Sequence, residues 1–170
     1  ERERIDKLLG KIVRGKVGYW AYFFVAADNV IKLGGKLAAV TPEEFIVGGD
    51  AESVRRFLFE DKGYVPKYIV KSSVEPAFSE QTKYRDYLIV FSKYAKSGDS
   101  GKTMIIVLKK SLHSECDDKC LDEIVKKVKE FENSNDKAYS SDIFDAWKTD
   151  FNKYVHIYGL ENLKPLVAPY

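Results

Sequence analysis

Two short apolar runs constrain the fold of this chain more than any other feature. Tyr87-Leu88-Ile89-Val90-Phe91 and Met104-Ile105-Ile106-Val107-Leu108 each hold five residues without a polar interruption. Runs of that length, bounded by polar and glycine-bearing segments, suit strands at the centre of a sheet. They predict strands over 86–92 and 104–108, joined through the polar stretch 95–103 as a hairpin. A third candidate strand, Lys67 to Ser72, alternates polar with apolar residues, and Pro76 marks 73–83 as an exposed loop.

Upstream, Ile5, Leu8, Leu9, Ile12 and Val13 recur at helical spacing over residues 4–14. Tyr19 to Ala26 is aromatic and β-branched, which predicts a buried strand; Asp28-Asn29 then turns into a returning strand, Val30 to Leu33. Thr41-Pro42-Glu43-Glu44 predicts a helix start, interrupted at Gly48-Gly49. A second short helix from Asp50 carries Val54, Phe57 and Leu58 and stops at Lys62-Gly63. Downstream, Asp117 or Asp118 opens a helix lined by Leu121, Ile124, Val125, Val128 and Phe131. Ser140 or Ser141 is expected to cap another, through Ile143, Phe144, Trp147, Phe151 and Tyr154.

The expected architecture is α+β. One domain over 1–158 holds a mainly antiparallel five-stranded sheet, in the order α-ββ-α-βββ-α-α, covered by helices. An irregular tail, 159–170, docks through Leu160, Leu163 and Leu166. This order is similar to that of roadblock, longin and profilin-like domains, a likeness of topology with no sequence motif behind it.

The longest near-apolar run, Val17 to Ala27, ends at Asp28-Asn29, well short of the ~18 residues of a membrane span. Two cysteines in 170 residues do not make a secreted disulfide scaffold, so a cytoplasmic setting is expected. One Gln and one Met beside abundant Lys and Glu give a thermophile-like composition. The net charge of +2 is unevenly spread: Lys62 to Leu112 holds ten cations against four acids, His113 to Tyr154 seven against eleven. Such an internal dipole favours oriented association with a charged partner.

Several segments look like chemistry. Gly98-Asp99-Ser100-Gly101-Lys102-Thr103 ends like a phosphate-binding loop, but Lys96 stands where the first glycine belongs and an apolar strand follows in place of a helix. The same Gly-Asp-Ser-Gly resembles the nucleophile loop of trypsin-like proteases; the two histidines, His113 and His156, both lie downstream of it, and that reading is set aside. His113, Cys116 and Cys120 form a candidate metal set, with the two sulfurs one helical turn apart. A nuclease would gather acids and a lysine at the ends of central strands. Asp86 with Lys109 or Lys110 echoes that layout, although Val107-Leu108-Lys109 lacks the carboxylate of an acid-x-lysine pair.

Basic and aromatic residues interleave at Lys67, Tyr68 and Lys71 and again at Lys83, Tyr84 and Arg85, the mixture used on nucleic-acid surfaces. No assembled catalytic set and no cofactor motif emerges. The leading expectation is a non-catalytic protein-interaction or scaffold module, an oligomer or an accessory subunit of a larger assembly. The alternative is a nucleic-acid-associated protein, in the extreme a degenerate or metal-dependent nuclease, using the basic-aromatic strands around 64–94.

Overall fold

The computed structural model describes residues 2–8, 12–14, 16–74, 78, 86–94 and 102–150. Both apolar runs become inner strands of a six-stranded mixed sheet. Its strands are β1 (Lys36–Pro42), β2 (Tyr64–Ser72), β3 (Asp86–Lys93), β4 (Lys102–Leu108), β5 (Ala138–Ser140) and β6 (Phe144–Asp150). Across the sheet they run β1-β3-β2-β4-β6-β5. β2 and β4 are parallel, with Tyr68 opposite Met104 and Ser72 opposite Leu108; the remaining pairs are antiparallel. The sheet is thus mainly antiparallel as expected, with six strands in place of the expected five and one parallel pair, and nothing in the strand order supports the roadblock, longin or profilin analogy. β2 separates β3 from β4, so these two strands are not hairpin partners. The residues between them, 95–101, lie outside the described ones.

The helices are α1 (Arg2–Leu8), α2 (Trp20–Asp28), α3 (Glu44–Val47), α4 (Glu52–Arg56) and α5 (Asp118–Asn133). A 3-10 turn, Gly49–Ala51, leads into α4, and a π-helical turn, Phe57–Asp61, continues it. The segment expected as the strand Tyr19 to Ala26 is therefore helical. Its residues are apolar on every side, so composition carried no period. The proposed return, Val30 to Leu33, is turn, and the strand begins at Lys36 instead. Thr41 does not cap α3; its hydroxyl donates to the Tyr87 carbonyl at 3.4 Å across the β1–β3 pair. Asp117 does cap α5, accepting from the Cys120 amide at 2.9 Å. The expected helix from Ser140 is replaced by the β5–β6 hairpin, with Ala138 opposite Trp147 and Ser140 opposite Asp145.

Each face of the sheet has its own core. On one, α2, α3, α4 and the π-helical turn bury Phe24, Phe45, Val54 and Leu58 against Tyr87, Ile89, Phe91 and Ile105. Phe45 stacks on Phe24 at 5.2 Å between centroids and meets Trp20 and Phe91 edge-on at 5.8 and 5.9 Å. On the other face, Ile124, Val128 and Phe131 of α5 cover Met104, Ile106, Leu108, Phe144 and Ala146. Arg55, buried among the helices, ties the α3–α4 corner by donating to the Phe45 and Gly48 carbonyls at 2.9 Å each.

Gly63 closes the π-helical turn with φ 68°, in the left-handed region. A side chain is strained there, so Gly63→Ala is expected to destabilise the chain by about 1–2 kcal/mol, read as a lower urea midpoint at unchanged slope. Just beyond that turn sits a buried charge cluster. Lys93 at the end of β3 donates to Asp28 Oδ1 at 2.6 Å and to the Ile31 carbonyl at 2.9 Å, while Lys62 approaches Asp28 Oδ2 at 3.1 Å. Burial alone would raise the Asp28 carboxyl, but Lys93 and then Lys62 more than offset it and hold it below its ordinary value. Burial first, and then this carboxylate, push the Tyr64 phenol well above its usual range.

Candidate functional site

The basic-aromatic residues of β2 were the leading site in the sequence, and the structure gives them particular neighbours. Pro66 pairs with Phe91 and Tyr68 with Val90, leaving Lys67 as an extra residue in a β-bulge. A bulge breaks strict alternation. Lys67 and Tyr68 consequently reach the same carboxylate: Lys67 Nζ lies 2.5 Å from Glu132 Oε1, and the Tyr68 hydroxyl donates to Glu132 Oε2 at 2.6 Å. Glu132 belongs to the last turn of α5, so the three side chains fasten that helix end to the sheet. Burial would raise the Glu132 carboxyl; the hydrogen bonds from Lys67 and Tyr68 lower it below its ordinary value. Burial and Glu132 together drive the Tyr68 phenol upward. The bulge was legible in one respect, because a proline inside a strand pattern marks bulges and edges.

Lys71 is only 6% exposed and lies opposite Val107 of β4, within the sheet rather than on its solvent surface. Lys83, Tyr84 and Arg85 lie outside the described residues. The six basic-aromatic positions thus divide into a pair engaged with Glu132, one buried lysine, and three of which the structure says nothing.

At the strand ends, Asp86 opens β3 opposite Pro42, and its Oδ2 is buried without a hydrogen-bond partner. The β4 residues that an acid would occupy are Val107 and Leu108, the latter buried against α5. Lys109 turns to the β5–β6 hairpin, with Nζ 2.6 Å from Asp145 Oδ1 and 2.8 Å from the Ser141 carbonyl. Asp145 also accepts from the Ser140 hydroxyl at 2.6 Å. Desolvation opposes ionisation of Asp145, yet Lys109 and Ser140 leave its carboxyl below the ordinary value. Lys110 stands 3.6 Å from Asp142 in a solvent-exposed pair. Of the phosphate-loop candidate, Lys102 and Thr103 are described; they begin β4, and the Thr103 hydroxyl donates to the Pro66 carbonyl at 2.6 Å. An anion-holding loop requires a helix at that position.

Cys116 and Cys120 are joined as a disulfide across the first turn of α5. Zinc binding by His113, Cys116 and Cys120 would require both sulfurs as thiolates and so belongs to the reduced chain. His113 is exposed in the turn before the helix, where Ser111 Oγ accepts from the His113 and Ser114 amides at 3.3 Å each. Among the described residues, no three His, Cys, Asp or Glu side chains converge as a metal ion would require. No helix among them is long and apolar enough to cross a membrane.

No protein-family model matches the sequence, and no curated protein does. The fold is similar to solved structures. One is the type IIG restriction endonuclease BpuSI, with a TM-score of 0.66 and 16% identity over 95% of this chain and 18% of that one. Another comes from a structure of the complex assembly and conformational transition of the type I R-M system, with a TM-score of 0.58 and 17% identity over 82% of this chain and 30% of that one. At such identities the likeness is one of fold. The chain spans less than a third of the length of either.

Proposed function

We propose that this chain is a non-catalytic accessory module in a larger assembly of the restriction–modification kind, working through contacts with protein. The fold likeness supports the setting, since the similar chains are several times longer than this one. The observation that carries the reading is the internal engagement of the sheet's own charges. Lys67 and Tyr68 are engaged with Glu132, and Lys109 with Asp145, where a nuclease would offer them to metal and phosphate. The test is incubation of the purified chain with supercoiled plasmid and Mg²⁺ or Mn²⁺. No nicking is expected; nicking that disappears in Asp86→Asn overturns the reading.

A second reading, a nucleic-acid-associated protein, is supported by the interleaved cations and tyrosine Lys83, Tyr84 and Arg85 and by the fold likeness to restriction–modification proteins. Fluorescence anisotropy with single- and double-stranded oligonucleotides across a salt series separates the two. The accessory reading expects no binding at low salt. The nucleic-acid reading expects binding that falls steeply with salt, with Lys83→Ala and Arg85→Ala each lowering the logarithmic slope by about 1. Lys67→Ala is expected to leave any binding unchanged, because that ammonium is held by Glu132.

A further inference from the structure

The α2 helix is apolar all round, and only one of its sides meets the core. Ala21, Phe24 and Val25 are buried. The outer side presents Tyr19 at 58%, Phe23 at 73% and Val30 at 80% exposure, with exposed Ala26 between them. Spacings of four, three and four residues place these in one row. The helical course persists past Asp28, since the Val30 and Ile31 amides both donate to the Ala27 carbonyl. Exposed Leu33 extends the row toward β1. A contiguous apolar row of this kind marks a contact surface.

The exposed charges that flank it in sequence are basic: Arg14 and Lys16 before the row and Lys32 after it. Asp28, within this stretch, is buried with Lys93. Two copies meeting face to face through α2 would bring basic rims together, which opposes that pairing.

A complementary patch lies on the same molecule. α5 leaves Leu121 and Val125 exposed one turn apart, with Asp117, Asp118 and Asp122 toward the start of the helix against Lys119; Glu123 is paired with Lys127 at 2.7 Å, and Lys126 and Lys129 follow Val125. α2 packs on one face of the sheet and α5 on the other. We propose that copies of this chain associate head to tail. The Tyr19–Phe23–Val30 row of one copy seats on Leu121 and Val125 of the next, with the basic rim against the acids that open α5. The inference rests on the interaction-module reading and names its partner as a second copy. Because the two patches differ and sit on opposite faces, the contact is heterologous and repeats rather than closing at a two-fold dimer.

Sedimentation velocity of the 170-residue chain over a concentration series tests this. The expected result is a mass that rises past the dimer with concentration and falls in about 0.5 M salt, where screening weakens opposed rims. Phe23→Ala, a surface change, is expected to weaken association roughly thirtyfold or more. A Lys16→Glu, Lys32→Glu variant and an Asp118→Lys, Asp122→Lys variant are each expected to be monomeric alone. Mixed in equal amounts they reassociate, since each then meets its complement, and that recovery also shows both to be folded. A dimer strengthened by salt indicates face-to-face pairing and overturns the proposal. So does a monomer at every concentration, an outcome that leaves the accessory reading to its own plasmid test.

Discussion

Lys93→Met is expected to cost about 3 kcal/mol of folding stability at neutral pH, in the range for removing one partner of a buried ion pair. The substitution keeps the length of the aliphatic stem and deletes the ammonium. Asp28 is then left buried with the more exposed Lys62 as its cation, and the Asp28 and Ile31 carbonyls at the end of α2 lose theirs. The size of the effect should depend on pH in a defined direction. Because Asp28 titrates lower in the folded chain than in the unfolded one, its contribution is complete above its unfolded value near 3.8. It drains away as pH falls through the lower, folded value. The deficit of Lys93→Met against the parent chain should therefore be full at pH 7 and shrink below about pH 4. Urea titrations at several pH values measure this directly, and a deficit equal at pH 7 and pH 3 would falsify the assignment. Glu132 and Asp145 are held down in the same way, so the parent chain itself is expected to lose stability over that acid range.

The second large effect lies in the aromatic core. Phe91 is fully buried and meets Phe24, Phe45, Phe59 and Tyr64 at centroid distances of 5.8, 5.9, 6.2 and 6.4 Å. Phe91→Ala removes one ring from a cluster whose members come from separate elements, so the site cannot collapse around the void. A loss of about 4 kcal/mol is expected. Phe23→Ala provides the contrast, since its ring points outward and the isolated chain should change by less than about 0.5 kcal/mol. Equal losses for the two would mean that the outer row of α2 is buried in solution.

The parts of the fold that were readable share one property, a clear local signal. The central strands followed from uninterrupted apolar runs, and α5 from its cap at Asp117 and the Ile124, Val128 and Phe131 stripe. α2 was misread because Trp20 to Ala27 is apolar on all sides, so neither a helical nor a strand period emerges and β-rich composition decided wrongly. The β5–β6 hairpin was misread because Phe144 and Trp147 stand three apart, like neighbours on a helix, while in the sheet they face opposite cores. Strand order depends on non-local pairing, and no local signal predicts that β2 lies between β3 and β4. At the candidate site, the sequence supplied the cations but not their partners. Glu132 lies more than sixty positions from Lys67 and Tyr68, and only the bulge beside Pro66 turns both toward it.

The interleaved strand order also bears on how the chain matures during synthesis. β1 and β2 leave the ribosome first, yet they do not pair with each other; both wait for β3, which lies between them. Until Asp86 to Lys93 has emerged, the nascent polypeptide has helices but no sheet for them to settle on, and the side chains of Leu37, Val65 and Ile69 stay wet. Vectorial assembly thus hinges on one late segment, and the cell must shelter everything ahead of it in the meantime.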